Sequence, residues 1–211
     1  MTVYNPRYFA SDDQQAIRRV LMDYGFATLI TRAREEVVVS HVPVLWEEGS
    51  GLNGCVVGHV ARANPHVEAL GQGPSFLMFQ GPFGYVSPTW YTDPSGSVPT
   101  WNYVAIHIHG SIERLDGLAD KRAIVDALSA RHEAALPRPW TSAKMNAELL
   151  QKMLGAIVGF RMIVERIDAK FKLSQNRGSE DRAGVIAGLE EQGSPAGMAL
   201  AAWMREYSKP S

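Results

Sequence analysis

Three stretches of this 211-residue chain hold side chains with chemistry to offer. Residues 81–103 carry six aromatics and four prolines, too apolar for a solvated loop and too proline-rich for a sheet interior. Their rings need a cover, and the domain's own core, a flat aromatic ligand or a partner subunit would each provide one. Residues 170–177, Lys-Phe-Lys-Leu-Ser-Gln-Asn-Arg, pack three cations and three neutral donors into eight positions, an economical way to hold a phosphorylated ligand by charge-assisted bonds. A solvated basic turn is the plain alternative, yet Ser174-Gln175-Asn176 is more than solubility requires. The run Gly58-His59-Val60-Ala61-Arg62-Ala63-Asn64-Pro65 places a cation where a strand meets a helix start, and free backbone N–H groups there suit an anion. Spacing alone favours the plainer reading, an exposed arginine and a capping asparagine.

The histidines do not assemble into a metal set. His107 and His109 share a strand face, His59 and His66 flank a turn, and no His-Glu-x-x-His or cysteine pairing joins them, so structural roles are expected and no metal. No Gly-x-Ser-x-Gly elbow, P-loop or Gly-x-Gly-x-x-Gly turn occurs, which disfavours acyl transfer, nucleotide hydrolysis and Rossmann-type NAD binding. No specific acid or base stands out, and catalytic residues stay unassigned.

These side chains have to be positioned by regular elements. Asp12 and Asp13 followed by Ile17, Val20, Leu21 and Tyr24 predict a capped amphipathic helix ended by Gly25. Strands are expected over 26–31, 37–46, 52–60 and 75–79, with a short helix at 64–71 capped by Asn64. From Trp101 to Leu115 the alternation of Val104, Ile106, Ile108 and Ile112 with Tyr103, His107, His109, Ser111 and Glu113 predicts the longest strand. Helices at 119–134 and 143–153, a strand at 156–167 and helices at 182–191 and 195–207 complete the chain. Strands joined by short turns argue for an antiparallel barrel or sandwich with helices attached, not a doubly wound sheet.

Composition bounds the function. With 45% hydrophobic and 20% charged residues the chain can bury a core, which excludes disordered and collagen-like classes. Lys+Arg 21 against Asp+Glu 22 leaves a net charge of -1, where a protein that neutralises many phosphates needs a basic excess. DNA binding therefore has no support from charge, nor from any helix-turn-helix pattern. The single cysteine, Cys55, permits no disulfide within the chain and fits a reducing, cytoplasmic setting. No signal segment and no run of about 18 apolar residues is visible, so no membrane association is expected.

Read together, Tyr4-Asn5-Pro6-Arg7-Tyr8-Phe9, Phe26-Ala27-Thr28-Leu29, Ser40-His41-Val42-Pro43, Gly58 to Pro65, Gly81-Pro82 with Tyr85-Val86-Ser87-Pro88-Thr89-Trp90-Tyr91, Pro99-Thr100-Trp101-Asn102-Tyr103, Ala156 to Phe160 and Lys170 with Lys172 to Arg177 resemble the PaiB family of FMN-binding negative transcriptional regulators. The resemblance runs over about residues 1–190. It implies a mainly β, α+β fold: a six-stranded antiparallel Greek-key split barrel with flanking and C-terminal helices, homodimeric, with FMN at the subunit interface. Residues 1–175 would form the barrel domain with peripheral helices and 176–211 a helical extension.

Carried onto this chain, the positions that hold the FMN phosphate in the wider split-barrel group are His41, Arg62 and Asn64, to which Lys172, Ser174 and Gln175 add charge and donors. Trp90, Tyr91, Trp101 and Asn102 are candidates for contact with the flavin ring or the dimer interface, because a tricyclic ring needs flat apolar walls and a few polar groups at its rim. The implied function is a cytoplasmic homodimeric regulatory flavoprotein. Oxidases of the group carry Arg and Lys around the position of His41 and a Ser-Arg-Lys set near Arg62, from which this chain departs. An FMN-dependent oxidoreductase of the flavin reductase or oxidase kind is the alternative, and a haem-binding split barrel a further one.

Overall fold

The computed structural model describes residues 3–48 and 54–207; Leu52, the expected start of a strand, lies outside them. In chain order the elements are β1 (Ala10–Ser11), α1 (Gln14–Asp23), β2 (Phe26–Ala33), β3 (Glu36–Glu47), β4 (Cys55–Ala61), α2 (His66–Ala69), β5 (Ser75–Val86), β6 (Thr100–Leu115), α3 (Leu118–Glu133), α4 (Ala147–Gly155), β7 (Ile157–Lys172), α5 (Ser179–Gln192) and α6 (Pro195–Glu206). Short 3-10 turns stand at Pro88–Trp90 and Ser142–Lys144.

The strand order is β1-β7-β4-β3-β2-β5-β6, and β7 also pairs with β6. The six long strands therefore close into a ring, with the two-residue β1 added beside β7 through Ala10↔Lys170 and Ser11↔Ala169. β2, β3 and β4 follow one another antiparallel and β5 returns to lie antiparallel beside β2, the Greek-key order. Six strands with flanking and C-terminal helices agree with the sequence reading; β1 is too short to leave a periodic signal.

The chain divides into two compact units: a first made of Met1–Ile17, Gln80–Ile106 and Asp168–Ser211, and a second made of Arg18–Phe79 and His107–Ile167. In the second unit β2 and β3 pair from Phe26↔Pro43 to Ala33↔Glu36, turning through Arg34 in the left-handed region (φ 56°). Cys55 to Gly58 are buried without interruption because Cys55 and Val57 pack under Leu115 and the α3 residues Ile124 and Leu128, which is why β4 reads as an apolar run instead of an alternation. Asn146 caps α4, its Oδ1 accepting from the N–H groups of Glu148 (2.9 Å) and Leu149 (3.2 Å). That cap sets the helix start at Ala147, later than the expected 143.

In the first unit α5 and α6 bury Val185, Leu189, Leu200 and Met204, and Phe171 of β7 meets Trp203 and Tyr207 edge-on. Two strands run further than periodicity suggested: β5 continues past Phe79 to Val86 and β7 past Ile167 to Lys172. Gly81 allows the first extension, since a Cβ there would stand 3.0 Å from the Cβ of Val104. Along β7 the buried apolar side chains are even-numbered from Val158 to Val164 and odd-numbered from Ala169 to Leu173, and that change of parity hides the second extension from a period-2 reading.

One glycine in the second unit tests the strand packing directly. A Cβ on Gly110 would lie 2.0 Å from the carbonyl oxygen of Ile163 and 2.9 Å from Cγ of Met162. Gly110→Ala is expected to cost about 1–3 kcal/mol by overpacking, read as a lower urea midpoint with an unchanged slope.

Candidate functional site

The pleat of β6 sorts the aromatic segment in the first unit. Asn102 has the parity of Val104 and Ile106 and is buried with them, whereas Trp101 and Tyr103 point to the opposite face. Trp101 and Tyr103 meet Gln80 and Phe83 in a groove of about 440 Å³, within the roughly 300–1,000 Å³ typical of ligand sites. Phe83 and Trp101 have ring centroids 6.3 Å apart, Tyr85 stands edge-on to Trp101 at 5.9 Å, and all three rings remain exposed.

One ammonium group, that of Lys170, stands against a wall of this groove, and a second, that of Lys172, lies two residues on along β7. Lys170 Nζ lies 5.4 Å from the Tyr103 ring centroid and 4.9 Å from that of Tyr4, and donates to the Tyr4 carbonyl at 2.9 Å. Lys172, two residues on along the same strand face, donates to Thr100 Oγ1 at 2.6 Å and stands over Phe9 at 5.9 Å. Neither has a carboxylate partner among the described residues. Burial, and secondarily the neighbouring Lys170, lower the Lys172 pKa from the usual lysine range.

The remaining candidates of this unit have other neighbours. Asn102, 1% exposed, donates to Ser174 Oγ at 2.8 Å and to Met204 Sδ at 3.5 Å, and its Oδ1 is buried without a hydrogen-bond partner. Ser174 sits in the left-handed region at φ 62°, a strained position for a residue with a side chain. The Gln175 amide spans its own turn, accepting from Leu173 N–H at 2.8 Å and donating to the Phe171 carbonyl. Tyr91 is buried beneath the Arg177 guanidinium, 4.3 Å from its centroid. Trp90 packs on α5 so closely that a Cβ on Gly188 would lie 2.3 Å from its ring. Of the four aromatic-segment candidates, Trp101 alone is a wall of the groove.

His41, Arg62 and Asn64 belong to the second unit. His41 is exposed and stacked on Phe26 at 6.4 Å. Arg62 is exposed, its Nε donating to the Gly155 carbonyl at 2.7 Å and an Nη to that of Ile157 at 3.3 Å. Asn64 joins a polar cluster: its Nδ2 donates to Ser40 Oγ at 3.0 Å while its Oδ1 accepts from His66 N–H at 2.9 Å. His66 is fully buried, with Nδ1 3.0 Å from Ser40 Oγ and Nε2 2.9 Å from Thr31 Oγ1, which in turn meets Ser75 Oγ at 2.8 Å. Every hydroxyl and ring nitrogen of this cluster is engaged internally, so it serves the fold.

The sequence counted Lys170 in the cation cluster of 170–177 without naming it as a site residue, and did not single out Gln80, Phe83 and Tyr103 as ligand contacts. The available signal was parity: Trp101 with Tyr103 and Lys170 with Lys172 are two apart on single strands and therefore share faces. An exposed aromatic groove with an amide on its wall and the Lys170 ammonium against its Tyr103 ring fits a planar, phosphorylated ring system such as FMN.

The fold is that of the flavin-binding split barrels. Two solved structures share it: the FAD and haem binding protein from Mycobacterium smegmatis (18% identical, TM-score 0.58, 82% of this chain and 78% of that one) and the flavocytochrome Anf3 from Azotobacter vinelandii (20%, TM-score 0.57, 84% and 77%). Residues 3–166 match the family described as "Putative FMN-binding domain", and the chain belongs to that family. Among curated proteins it is 32% identical to Protease synthase and sporulation protein PAI 2 of Bacillus subtilis over 98% of this chain and 99% of that protein. It is also 31% identical to an uncharacterized protein of Emericella nidulans over 79% and 80%. The chain is thus a PaiB-type protein of an FMN-binding family. Among the described residues no helix is long and apolar enough to cross a membrane.

Burial lowers the pKa of both His59 and His66 below the ordinary 6.5, which favours their neutral forms in the folded protein. The unfolded chain then binds more protons below about pH 6.5, and stability falls as the pH drops from there toward the depressed folded-state values. Urea midpoints measured from pH 7.5 to 5.5 are expected to fall, and His66→Gln should flatten that slope whatever it does to stability at pH 7.5.

Proposed function

We propose that this PaiB-type protein holds FMN in the first unit, with the isoalloxazine against Phe83 and Trp101 and the phosphate near Lys172. The observation that carries the reading is the groove of Gln80, Phe83, Trp101 and Tyr103 with the Lys170 ammonium against its Tyr103 ring and Lys172 two residues on along β7, neither with a carboxylate partner among the described residues. Trp101 and Phe83 supply flat walls, the Gln80 amide can bond the polar rim of a ring, and Lys172 offers further N–H donors beyond the one it gives to Thr100. Bound FMN supplies a redox-active ring and a phosphate carrying nearly two negative charges. Asn102 and Ser174 support β6 and the end of β7 from the opposite face.

We read the output as regulatory and cytoplasmic, with the flavin as the sensed species. A net charge of -1 speaks for an indirect effect on genes over operator binding. A homodimer is supported by the outward face of the β2–β3 hairpin, where Phe26 (67% exposed), Val37 and Val39 leave apolar surface open. Val39→Lys is expected to shift the sedimentation coefficient from dimer to monomer; an unchanged coefficient rejects that face.

Titration of the purified protein with FMN, followed by fluorescence quenching, tests the main reading. Saturable binding with one FMN per chain is expected, and the absence of quenching overturns it. Lys172→Met should weaken binding by about 1.5–3 kcal/mol, the worth of a hydrogen bond to a charged group. Trp101→Ala should weaken FMN and riboflavin alike.

A further inference from the structure

Lys170 is placed unlike the other cations of the first unit. It is 7% exposed, yet the partners of its ammonium are one backbone carbonyl, that of Tyr4, and the faces of two tyrosine rings, Tyr4 and Tyr103. A carbonyl oxygen and ring faces carry only partial negative charge, so a buried ammonium is left, among the described residues, with more donors than acceptors and without a full countercharge. Lys172 adds a second positive charge on the same strand face.

The segment that covers Lys170 is lightly fastened. Tyr4 is 82% exposed despite its contact with the ammonium, and Tyr8 is exposed as well. Beyond the Lys170 bond, one side-chain bond to the described residues outside the segment secures it, from Asn5 Nδ2 to the Ala169 carbonyl at 2.9 Å. From Phe9 onward the attachment is firmer: Phe171 N–H donates to the Phe9 carbonyl at 2.8 Å and β1 pairs with β7. A turn between these parts is closed by Phe9 and Ala10 N–H groups donating to the Pro6 carbonyl. Lifting residues 4–8 would therefore break the two bonds to the Pro6 carbonyl while leaving the pairing of β1 with β7 in place.

We propose that Lys170 makes the groove select an anionic ligand, and that residues 4–8 stand in for the anion, giving up Lys170 when a ligand phosphate arrives. The inference rests on the FMN reading for the identity of the ligand, but not for the exchange of a carbonyl for an anion at Lys170. Tyr103 links the two, since its ring is both a wall of the groove and a face of the ammonium's box. The carbonyl of Tyr4 and a phosphate oxygen compete for one cation, and the full charge wins.

The test is amide hydrogen exchange of the full chain at Phe9 and Ala10, whose N–H groups are held by the Pro6 carbonyl, with and without millimolar inorganic phosphate, combined with affinities for FMN and riboflavin. Phosphate is expected to speed exchange at these amides in the wild type and not in Lys170→Met. Lys170→Met should reduce the preference for FMN over riboflavin by about tenfold or more, leaving riboflavin affinity unchanged, and Lys170→Arg should restore it. Exchange that phosphate leaves unchanged in the wild type, or an equal loss of FMN and riboflavin affinity in Lys170→Met, overturns the proposal. If FMN fails to bind the wild type, the FMN reading fails by itself and the phosphate effect on exchange still decides the role of Lys170.

Discussion

The two-residue repeat of β6 is the constraint on which the site depends. A strand cannot turn one side chain to the core without turning its neighbours away, so burying Val104 and Ile106 commits Asn102 to the interior and Trp101 and Tyr103 to the outer face. The same segment thus supplies a groove wall and, on its reverse, a buried asparagine that anchors Ser174 in a strained conformation. β7 follows the same rule with a change of parity. Phe171 and Leu173 enter the core of the first unit, which leaves Lys170 and Lys172 on the outer face.

Electrostatics gives that face its character. Ion pairs such as Arg114 with Asp116 or Arg122 with Asp126 are exposed and local, and such pairs contribute little to stability. The lysines of β7 differ because burial removes water and no described carboxylate replaces it. Hydrogen bonds to a carbonyl and a hydroxyl and contacts with ring faces offset part of the cost of burying them, but supply no full negative charge. The buried cluster of Thr31, Ser40, Asn64, His66 and Ser75 is the converse case. Its polar groups satisfy one another, and it stabilises the second unit with no donor left over for a ligand.

Much of the fold was legible in the sequence because period and punctuation are local properties. The alternation from Val104 to Ile112, the short turns between β2, β3 and β4, and the Pro195 start of α6 each follow from neighbours in the chain. The family was legible too, since its motifs are contiguous strings such as Lys172 to Arg177. The ends of β5 and β7 were not, because Gly81 is strand only through its close approach to Val104, and β7 changes parity midway.

For the site, the sequence determined which residue types were on offer: aromatics over 81–103, cations over 170–177, and an arginine before a helix start. Tertiary structure decided their use. Trp90 and Tyr91 went to packing against α5 and beneath Arg177, Asn64 to a hydrogen-bonded cluster, and Trp101 to the groove with Phe83, Gln80 and Tyr103. Composition cannot separate these fates, because a tryptophan has the same surface to bury against a helix or a ligand. Only the strand register and the partner that arrives from a distant part of the chain determine which surface stays open.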